Sequence, residues 1–311
     1  MDNIICIAGP TASGKTSLAV ELAKAVGGEV VSCDSMQIYR YMNIGTAKPT
    51  REEMQGITHH MLDVAEPTED FSVSRYCELA TPIVDDILAR GKTAIIAGGT
   101  GLYMDALIRG NSFAPYPSTG MRKKLEMQAD EMGMDHMLAL LQSIDPPSAQ
   151  RLHLKDRKRI LRALEVYYET GKTITQHNEQ TQKIPDRYQP VWFALEDVDR
   201  QQLYSRIDRR VEKMLEAGLL DEIRSLLARG IPEKSTAMQA IGYKEYLDAL
   251  AGRCTVEEAT AQVQQASRHY AKRQLTWFRR NPACHWLRRN TGETTTEILA
   301  KARQILEELD N

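Results

Sequence analysis

A glycine-rich motif near the start of the chain constrains the fold more than any other feature. Residues Gly9-Pro10-Thr11-Ala12-Ser13-Gly14-Lys15-Thr16 match G-x-x-x-x-G-K-[ST], the pattern of a loop whose backbone amides hold phosphate groups. The apolar run 4–8 before it predicts a buried strand, and residues 17–23 after it have helical periodicity. Strand, loop and helix follow in the order that such a site needs, which predicts an α/β protein with a phosphate-binding loop.

The residue types of this loop indicate which chemistry it supports. Its glycines let the amides turn inward, and the N-terminus of the following helix attracts anions. Lys15 adds a full positive charge, and the hydroxyl of Thr16 is placed to bind a Mg²⁺ ion shared with the phosphates. We therefore expect Gly9 to Thr16 to bind two phosphates and Thr16 to be the metal ligand, but the motif leaves the phosphate compound open.

Composition places the chain among ordinary globular proteins. It has 311 residues, of which 42% are hydrophobic and 26% charged, with a formal net charge of -2. The five cysteines contain no C-x-x-C pair, so neither a disulfide framework nor a zinc site is indicated. No signal peptide precedes the first strand and no apolar run is long enough to span a membrane, so we expect a cytoplasmic protein without membrane contact.

Two further strands lead into polar turns that the sheet would bring beside the phosphate-binding loop. Residues 28–33 predict a strand ending at Asp34-Ser35-Met36-Gln37, and residues 93–97 predict a strand ending at a second glycine-rich turn, 98–103. In doubly wound parallel sheets ligands bind at this edge. Asp34 is thus either part of the site or only the cap of a local turn.

The middle of the chain changes character. Between about residues 111 and 190 strands disappear and helical stretches alternate with prolines, which predicts a helical insertion at 112–188 within a core formed by 1–111 and 189–311. The helix predicted at 156–170 has a basic first half, residues 157–162, that would oppose the helix dipole. Those charges form either a solvated face or a contact with phosphates.

Basic residues are also concentrated later in the chain. A strand at 189–195 returns to the sheet, and the helix at 199–217 places Arg206 and Arg210 four positions apart, either as a pyrophosphate clamp or as surface ion pairs. From Arg268 to Arg289 there are seven basic residues and no Asp or Glu, which suggests a polyanionic partner.

Taken together, these blocks resemble the bacterial tRNA dimethylallyltransferases, also called tRNA isopentenyltransferases. The resemblance extends from residue 9 to 277. Besides the first loop it rests on the blocks that begin at Asp34, Gly45, Gly98, Arg162, Gln239 and Ala271, which read DSMQIY, GTAK, GGTGLY, RALE, QAIGYK and AKRQLTW. It implies a P-loop NTPase-like parallel sheet flanked by helices, with a helical insertion domain that contacts tRNA.

The resemblance also implies the reaction. A dimethylallyl group would pass from dimethylallyl diphosphate to N6 of adenine 37, beside the anticodon of tRNAs that read codons beginning with U, and diphosphate would leave with the help of Mg²⁺. Asp34 matches the general base of the family, Thr100 would orient the amine, and Arg206 is the candidate for an added diphosphate clamp. We expect a monomer that binds the tRNA anticodon stem-loop.

The residues expected to contact tRNA fall into four groups. Asp34, Ser35, Met36, Gln37 and Thr100 would read the flipped-out base, because an adenine in a stacked loop is otherwise out of reach. The other groups are Arg122 with Lys158, Arg159, Ile160, Leu161 and Arg162 in the insertion; Gln239, Ala240, Ile241, Gly242, Tyr243 and Lys244; and Lys272 with Arg273 on the C-terminal helix.

Three other functions use the same loop. A small-molecule kinase would bind ATP there, but it leaves the acid-free stretch unexplained. A nucleotide-switched RNA-binding protein explains the basic helix but gives Asp34 no role. An enzyme that modifies free adenine nucleotides has no need of the insertion.

Overall fold

A computed structural model describes residues 3–110, 119–182 and 184–310. Among these residues, six strands form one fully parallel sheet in the order β3-β2-β4-β1-β5-β6. The strands are β1 Ile4–Ala8, β2 Glu29–Ser32, β3 His59–His60, β4 Ala94–Gly98, β5 Val191–Asp197 and β6 Cys284–Arg289. Helices flank the sheet, so the predicted fold class, a parallel sheet with a phosphate-binding loop after its first strand, is confirmed.

The helices of the described residues connect and cover these strands. Those near the start are α1 Lys15–Val26, α2 Arg51–Met54, α3 Val73–Ala89 and α4 Gly101–Arg109. The middle ones are α5 Met121–Ile144, α6 Pro146–Ala149, α7 Arg157–Thr170 and α8 Ile174–Gln182. The last are α9 Arg200–Glu216, α10 Leu219–Ala228, α11 Lys244–Leu250, α12 Val256–Phe278 and α13 Thr295–Asp310. None of these helices is long and apolar enough to cross a membrane.

The sheet is buried because its central strands are almost entirely apolar. All of β1 is buried, and the core on one face joins the apolar side of α1 to β5 and to α13. A parallel strand covered on both faces is expected to be a continuous apolar run, which residues 4–8 are. This core fixes the carboxyl ends of β1, β2 and β4 at one edge of the sheet.

The chain forms two compact units, one made of Met1–Gly110 with Arg187–Asn311 and the other of Asn111–Asp186. The second unit is a helical bundle of α5 to α8. Its core comes from the apolar faces of α5 and α7, and α5 is broken at Gly133, whose φ of 83° is left-handed. The insertion boundary predicted at 111/112 lies outside the described residues.

Two strands were missing from the sequence-based prediction. β3 has only two residues, His59 and His60, and pairs with Val30 and Val31 of β2. β6 lies inside the acid-free basic stretch and pairs with β5 from Cys284 to Arg289. The basic stretch therefore contributes part of the sheet as well as helical surface.

Candidate active site

A cleft of about 480 Å³ opens at the carboxyl edge of the sheet, within the first unit. Its lining includes the phosphate-binding loop, the turn after β2 and the end of β4, together with side chains from α9 and α12. Of the predicted residues, the following line it: Thr11, Ala12, Ser13, Gly14, Lys15, Thr16, Asp34, Ser35, Met36, Gln37, Gln239, Ala240, Ile241, Gly242, Lys244 and Arg273. The structure thus brings three of the predicted groups into one cavity.

The phosphate-binding loop presents amides to this cleft. Gly14 is the N-cap of α1 and has a left-handed φ of 88°. The first hydrogen bond of the helix is donated by the Leu18 amide to Gly14 O, at 3.1 Å. The amides of Gly14, Lys15 and Thr16 have no acceptor in the described part of the chain. The buried Ser13 hydroxyl also lacks a protein partner there. Such unpaired donors at a helix N-terminus fit a diphosphate.

Lys15 is held inside the loop. Its ammonium group donates to Pro10 O at 2.7 Å. Its pKa is lowered to about 7, mainly by burial and also by nearby Arg210, while Asp34 opposes the shift. A lysine that is only partly charged in the free protein regains its full charge when an anion binds.

Thr16 lines the cleft at the first turn of α1, beside the unpaired loop donors, so its hydroxyl fits the role of a ligand to a metal ion shared with phosphates. Among residues 3–110, 119–182 and 184–310, no group of three or more His, Cys, Asp or Glu side chains is arranged to hold a metal ion.

Asp34 lines the same cleft as the phosphate-binding loop. Its Oδ1 accepts hydrogen bonds from the amides of Met36 at 2.8 Å and Gln37 at 3.2 Å, which fixes the side chain in a turn. Its Oδ2 has no protein donor in the described ranges. Asp34 therefore caps the local turn through one oxygen and also lines the cleft, so the two alternatives left open by the sequence are compatible.

Thr100 is connected to this turn. Its hydroxyl oxygen accepts from the amide of Ser35 at 3.1 Å, and it also interacts with the hydroxyl of Tyr270 from α12. Burial raises the pKa of Tyr270 to about 12, and the negative charge of Asp34 adds to the shift. Tyr270 also lines the cleft, but nothing in the sequence distinguishes it from the other aromatic and apolar residues of α12.

The second glycine-rich turn has a packing role. An added Cβ at Gly98 would lie 1.9 Å from Cys33 O, one at Gly99 would lie 2.0 Å from Gln274 Nε2, and one at Gly101 would lie 2.2 Å from the Trp277 ring. These glycines let α12 and β2 approach the turn closely. Gln274 then joins the two loops, since it donates to Gly99 O at 3.0 Å and accepts from the Thr11 amide at 2.9 Å.

The wall facing the phosphate-binding loop consists of residues 45–47 and 239–244, and we call it the facing wall. Glu222 of α10 accepts from the amides of Asn43 and Ile44, both at 2.8 Å, from Gly45 at 3.1 Å and from the hydroxyl of Tyr243 at 2.6 Å. Gly45 is needed here because an added Cβ would lie 2.5 Å from the Tyr243 ring. Nothing in the sequence pointed to Glu222, which resembles any other acidic residue on a helix surface.

Gln37 supports the same wall from the other side. Its Nε2 donates to Thr46 O at 3.3 Å and Ala47 O at 3.1 Å, while its Oε1 accepts from the hydroxyl of Ser32 at 3.0 Å. The side-chain amide of Gln37 is thus already engaged with protein. Tyr243 was predicted to contact tRNA, but its side chain is fully buried.

The arginines divide between the cleft and the loop behind it. Arg210 lines the cleft, and burial lowers its pKa. Arg206, the predicted clamp, does not line the cleft; it donates from Nε to Ala12 O at 3.0 Å and pairs with Asp197. Arg289 donates to Ser13 O at 3.0 Å. The i, i+4 spacing of Arg206 and Arg210 was a usable signal, but nothing in the sequence connected Arg289 to the loop.

Much of the acid-free stretch is paired with acids from elsewhere in the chain. Arg268 pairs with Asp208, and both Arg279 and Arg288 pair with Glu196. Lys272 is exposed, and Arg273 stacks on the Tyr270 ring with its guanidinium carbon 5.5 Å from the ring centroid. A stretch without acids in sequence is therefore partly neutralised in space.

In the helical unit the predicted tRNA contacts fall into two kinds. Ile160 and Leu161 are fully buried in its core, where they hold α7 against α5. Arg159 and Lys158 are exposed on α7. Arg122 and Arg162 both lie beside Glu165, at 3.8 Å and 2.9 Å.

Fold and cleft together define a protein of the P-loop class, with a carboxylate in the cleft beside the loop. Comparison with known proteins specifies the family: the family model described as IPP transferase matches residues 37–281. This chain belongs to the IPP transferase family, which confirms the resemblance predicted from the sequence.

Relatives along the whole chain agree. A tRNA dimethylallyltransferase of Acetivibrio thermocellus is 44% identical over 307 residues, covering 98% of each chain. The tRNA isopentenylpyrophosphate transferase of Bacillus halodurans has a solved structure that is 40% identical with a TM-score of 0.74, covering 100% of this chain and 97% of that one. A eukaryotic dimethylallyltransferase acting on tRNA is 29% identical with a TM-score of 0.81, covering 98% of this chain and 79% of that one.

Proposed function

We propose that this chain transfers a dimethylallyl group from dimethylallyl diphosphate to N6 of adenine 37, in tRNAs that read codons beginning with U. The observation that carries the proposal is the placement of Asp34, whose Oδ2 has no donor in the described part of the chain and faces the same cleft as Lys15 and the phosphate-binding loop. The names of the relatives, which combine tRNA with a dimethylallyl or isopentenylpyrophosphate group, support the proposal.

The diphosphate end of the reaction belongs to the loop. The amides of residues 14–16, Lys15 and Arg210 would bind the diphosphate, whose charge grows as the allylic C–O bond breaks and its electron pair moves to oxygen. Mg²⁺, with the Thr16 hydroxyl as its protein ligand, would help to neutralise that charge. Arg206 would act on the diphosphate either as the clamp expected from the sequence or through Ala12 O, which it contacts.

The adenine end belongs to Asp34. As N6 forms its new bond to the dimethylallyl carbon, its proton would pass to Asp34 Oδ2, because the amine lone pair is delocalised and the nitrogen becomes acidic only as it bonds. Thr100 and Tyr270 hold the turn that carries Asp34. A positioned base of this kind contributes roughly 10²- to 10⁴-fold in rate.

Holding a flipped adenine requires a grip on the rest of the anticodon loop. We propose that the helical unit acts as a tRNA-contact domain through Arg122, Lys158, Arg159 and Arg162, and that Lys272 and Arg273 contact backbone phosphates near the cleft. Ile160 and Leu161 would contribute by fixing α7. The protein would work as a monomer in the cytoplasm.

The test is to incubate the protein with dimethylallyl diphosphate, Mg²⁺ and an unmodified tRNA that has three adenines at 36 to 38. We expect the mass of one dimethylallyl group to be added at adenine 37, and no addition to a matched tRNA with guanine at that position. Product on free AMP instead, or phosphoryl transfer from ATP to a small acceptor, would replace the proposal by one of its rivals.

A further inference from the structure

Two guanidinium groups contact the phosphate-binding loop without lining the cleft. Arg206 Nε donates to Ala12 O and Arg289 donates to Ser13 O, each at 3.0 Å. Ala12 and Ser13 themselves line the cleft. In a trans peptide the N–H points away from the C=O, so the amides of Ser13 and Gly14 point away from the two arginines.

The register of the sheet puts this pair in place. Asp197, at the end of β5, is opposite Arg289, at the end of β6, and Asp197 also pairs with Arg206. One carboxylate thus stands beside two cations. The side chain of Asp197 is only 3% exposed, so the arrangement is built into the interior and is not an incidental surface contact.

Stability alone gives a poor reason for this arrangement. Burial lowers the pKa of Arg289 and the neighbouring charge of Arg206 adds to this shift, while Asp197 and Glu293 oppose it. Arg289 Nε and Asp197 Oδ1 are buried without a hydrogen bond to the described residues. A fully satisfied structural ion pair would leave neither atom unpaired.

We infer that Arg206 and Arg289 are positioning residues for the diphosphate. A cation at a carbonyl oxygen polarises the peptide, which strengthens the hydrogen bond that its N–H donates, and it also fixes the plane of the peptide. The Arg289 contact polarises the Gly14 amide, which has no acceptor in the described ranges, while the Arg206 contact polarises the Ser13 amide, which donates to Pro10 O at 3.3 Å and so holds the shape of the loop. Neither arginine needs to touch the diphosphate for this effect.

The test uses Arg289→Gln, with Mg²⁺ and inorganic pyrophosphate as the probe and calorimetry as the measurement. We expect the Kd for pyrophosphate to rise about tenfold, as expected when a hydrogen bond to a charged group is lost. In turnover the KM for the diphosphate substrate should rise by a similar factor, while kcat at saturation and the Kd for tRNA stay near the wild-type values. Arg289→Lys should recover part of the loss.

The matched control is Arg288→Gln. Arg288 precedes Arg289 in the same strand, but its side chain is 70% exposed and lies near Glu196. Arg288→Gln removes the same charge as Arg289→Gln but no contact with the phosphate-binding loop, so it should leave pyrophosphate binding unchanged. Equal losses in both variants would show a general effect of net charge and would overturn the inference.

Two other results would also overturn it: an unchanged pyrophosphate Kd in Arg289→Gln, or a loss of tRNA binding without loss of pyrophosphate binding. If Arg289→Gln unfolds, Arg289→Lys carries the test through its ratio of KM to kcat, and an unchanged KM would count against the inference. The inference rests on the proposed function only where it takes dimethylallyl diphosphate as the natural ligand of the loop. A protein that failed to modify tRNA would still show the pyrophosphate effect.

Discussion

The two walls of the cleft are both made of backbone, but they use their amides in opposite ways. In the phosphate-binding loop the arginines bind carbonyl oxygens, and the amides of residues 14–16 have no protein acceptor in the described part of the chain. At the edge of the facing wall a carboxylate, Glu222, binds three consecutive amides at 43–45, of which that of Gly45 belongs to the wall. One wall is prepared to receive an anion, and the other has its donors occupied by one.

Under the proposed function, this difference would separate the two substrates by charge. A diphosphate gains from free amides, Lys15 and Arg210, and it finds no comparable donors in the amides that Glu222 occupies. The facing wall would instead provide a surface against which a flat, neutral base can pack. A change in one wall should therefore affect the binding of one substrate and leave the binding of the other near its wild-type value.

The largest effect is expected from Asp34→Asn, which alters neither wall. The Asn side-chain oxygen can still accept from the amides of Met36 and Gln37, so the turn should persist. The proton acceptor is lost together with its negative charge, and turnover should fall roughly 10²- to 10⁴-fold. Single-turnover kinetics should show a slow chemical step with tRNA affinity near the wild-type value; a loss of tRNA binding instead would make Asp34 a base-recognition residue.

The next effect is expected from Glu222→Ala. Three amides and the Tyr243 hydroxyl lose their acceptor, so residues 43–47 should shift and kcat/KM for tRNA should fall about tenfold to a hundredfold. Pyrophosphate affinity, measured by calorimetry, should not change, because Glu222 does not contact the loop. Asp221→Asn is the control, since Asp221 is on the same helix but pairs with exposed Arg224. A weaker pyrophosphate Kd in Glu222→Ala would show that the walls are coupled.

The contrast between the walls also explains what the sequence could predict. The phosphate-binding loop is local, with its strand, glycines and helix contiguous, so pattern and spacing were sufficient. The strands at 4–8, 28–33, 93–97 and 189–195 were likewise predicted by their apolar runs to within a few residues of β1, β2, β4 and β5. These elements are defined by their own residues.

The facing wall joins distant segments, and no local pattern describes such a contact. Glu222 meets residues 43–45 across more than 170 positions of chain, and Arg289 reaches Ser13 across 276. β6 was missed because its residues, Cys284 to Arg289, form neither an apolar run nor an alternation, and they become a strand by pairing with β5. The family resemblance supplied Asp34 and Thr100 but not the groups that hold them.

A smaller effect is expected when pH changes the charge on the loop side alone. The pKa of Lys15 is lowered to about 7, mainly by burial, so the free protein loses this positive charge as the pH rises through that value. Bound diphosphate favours the charged form, so binding should take up a proton above pH 7. Affinity should fall by up to about tenfold per pH unit there and should not depend on Lys15 below it.

Calorimetry in buffers with different ionisation enthalpies would measure this proton uptake. Lys15→Arg is the comparison, because an arginine stays charged over the same range and the titration of pyrophosphate itself cancels between the two proteins. Identical pH dependence in both would show that Lys15 is already fully charged in the free protein.

The smallest effect is expected from Arg273→Ala, at the rim where the cleft meets tRNA. Arg273 lines the cleft and stacks on Tyr270, and none of the described acids pairs with it. If it contacts one phosphate, its loss should reduce the slope of log Kd against log salt by about one. Arg253→Ala removes the same charge from an exposed pair with Asp248 and should leave the slope unchanged. A lower kcat with an unchanged slope would instead show that Arg273 acts on the reaction by supporting Tyr270 and Thr100, and not by binding a tRNA phosphate.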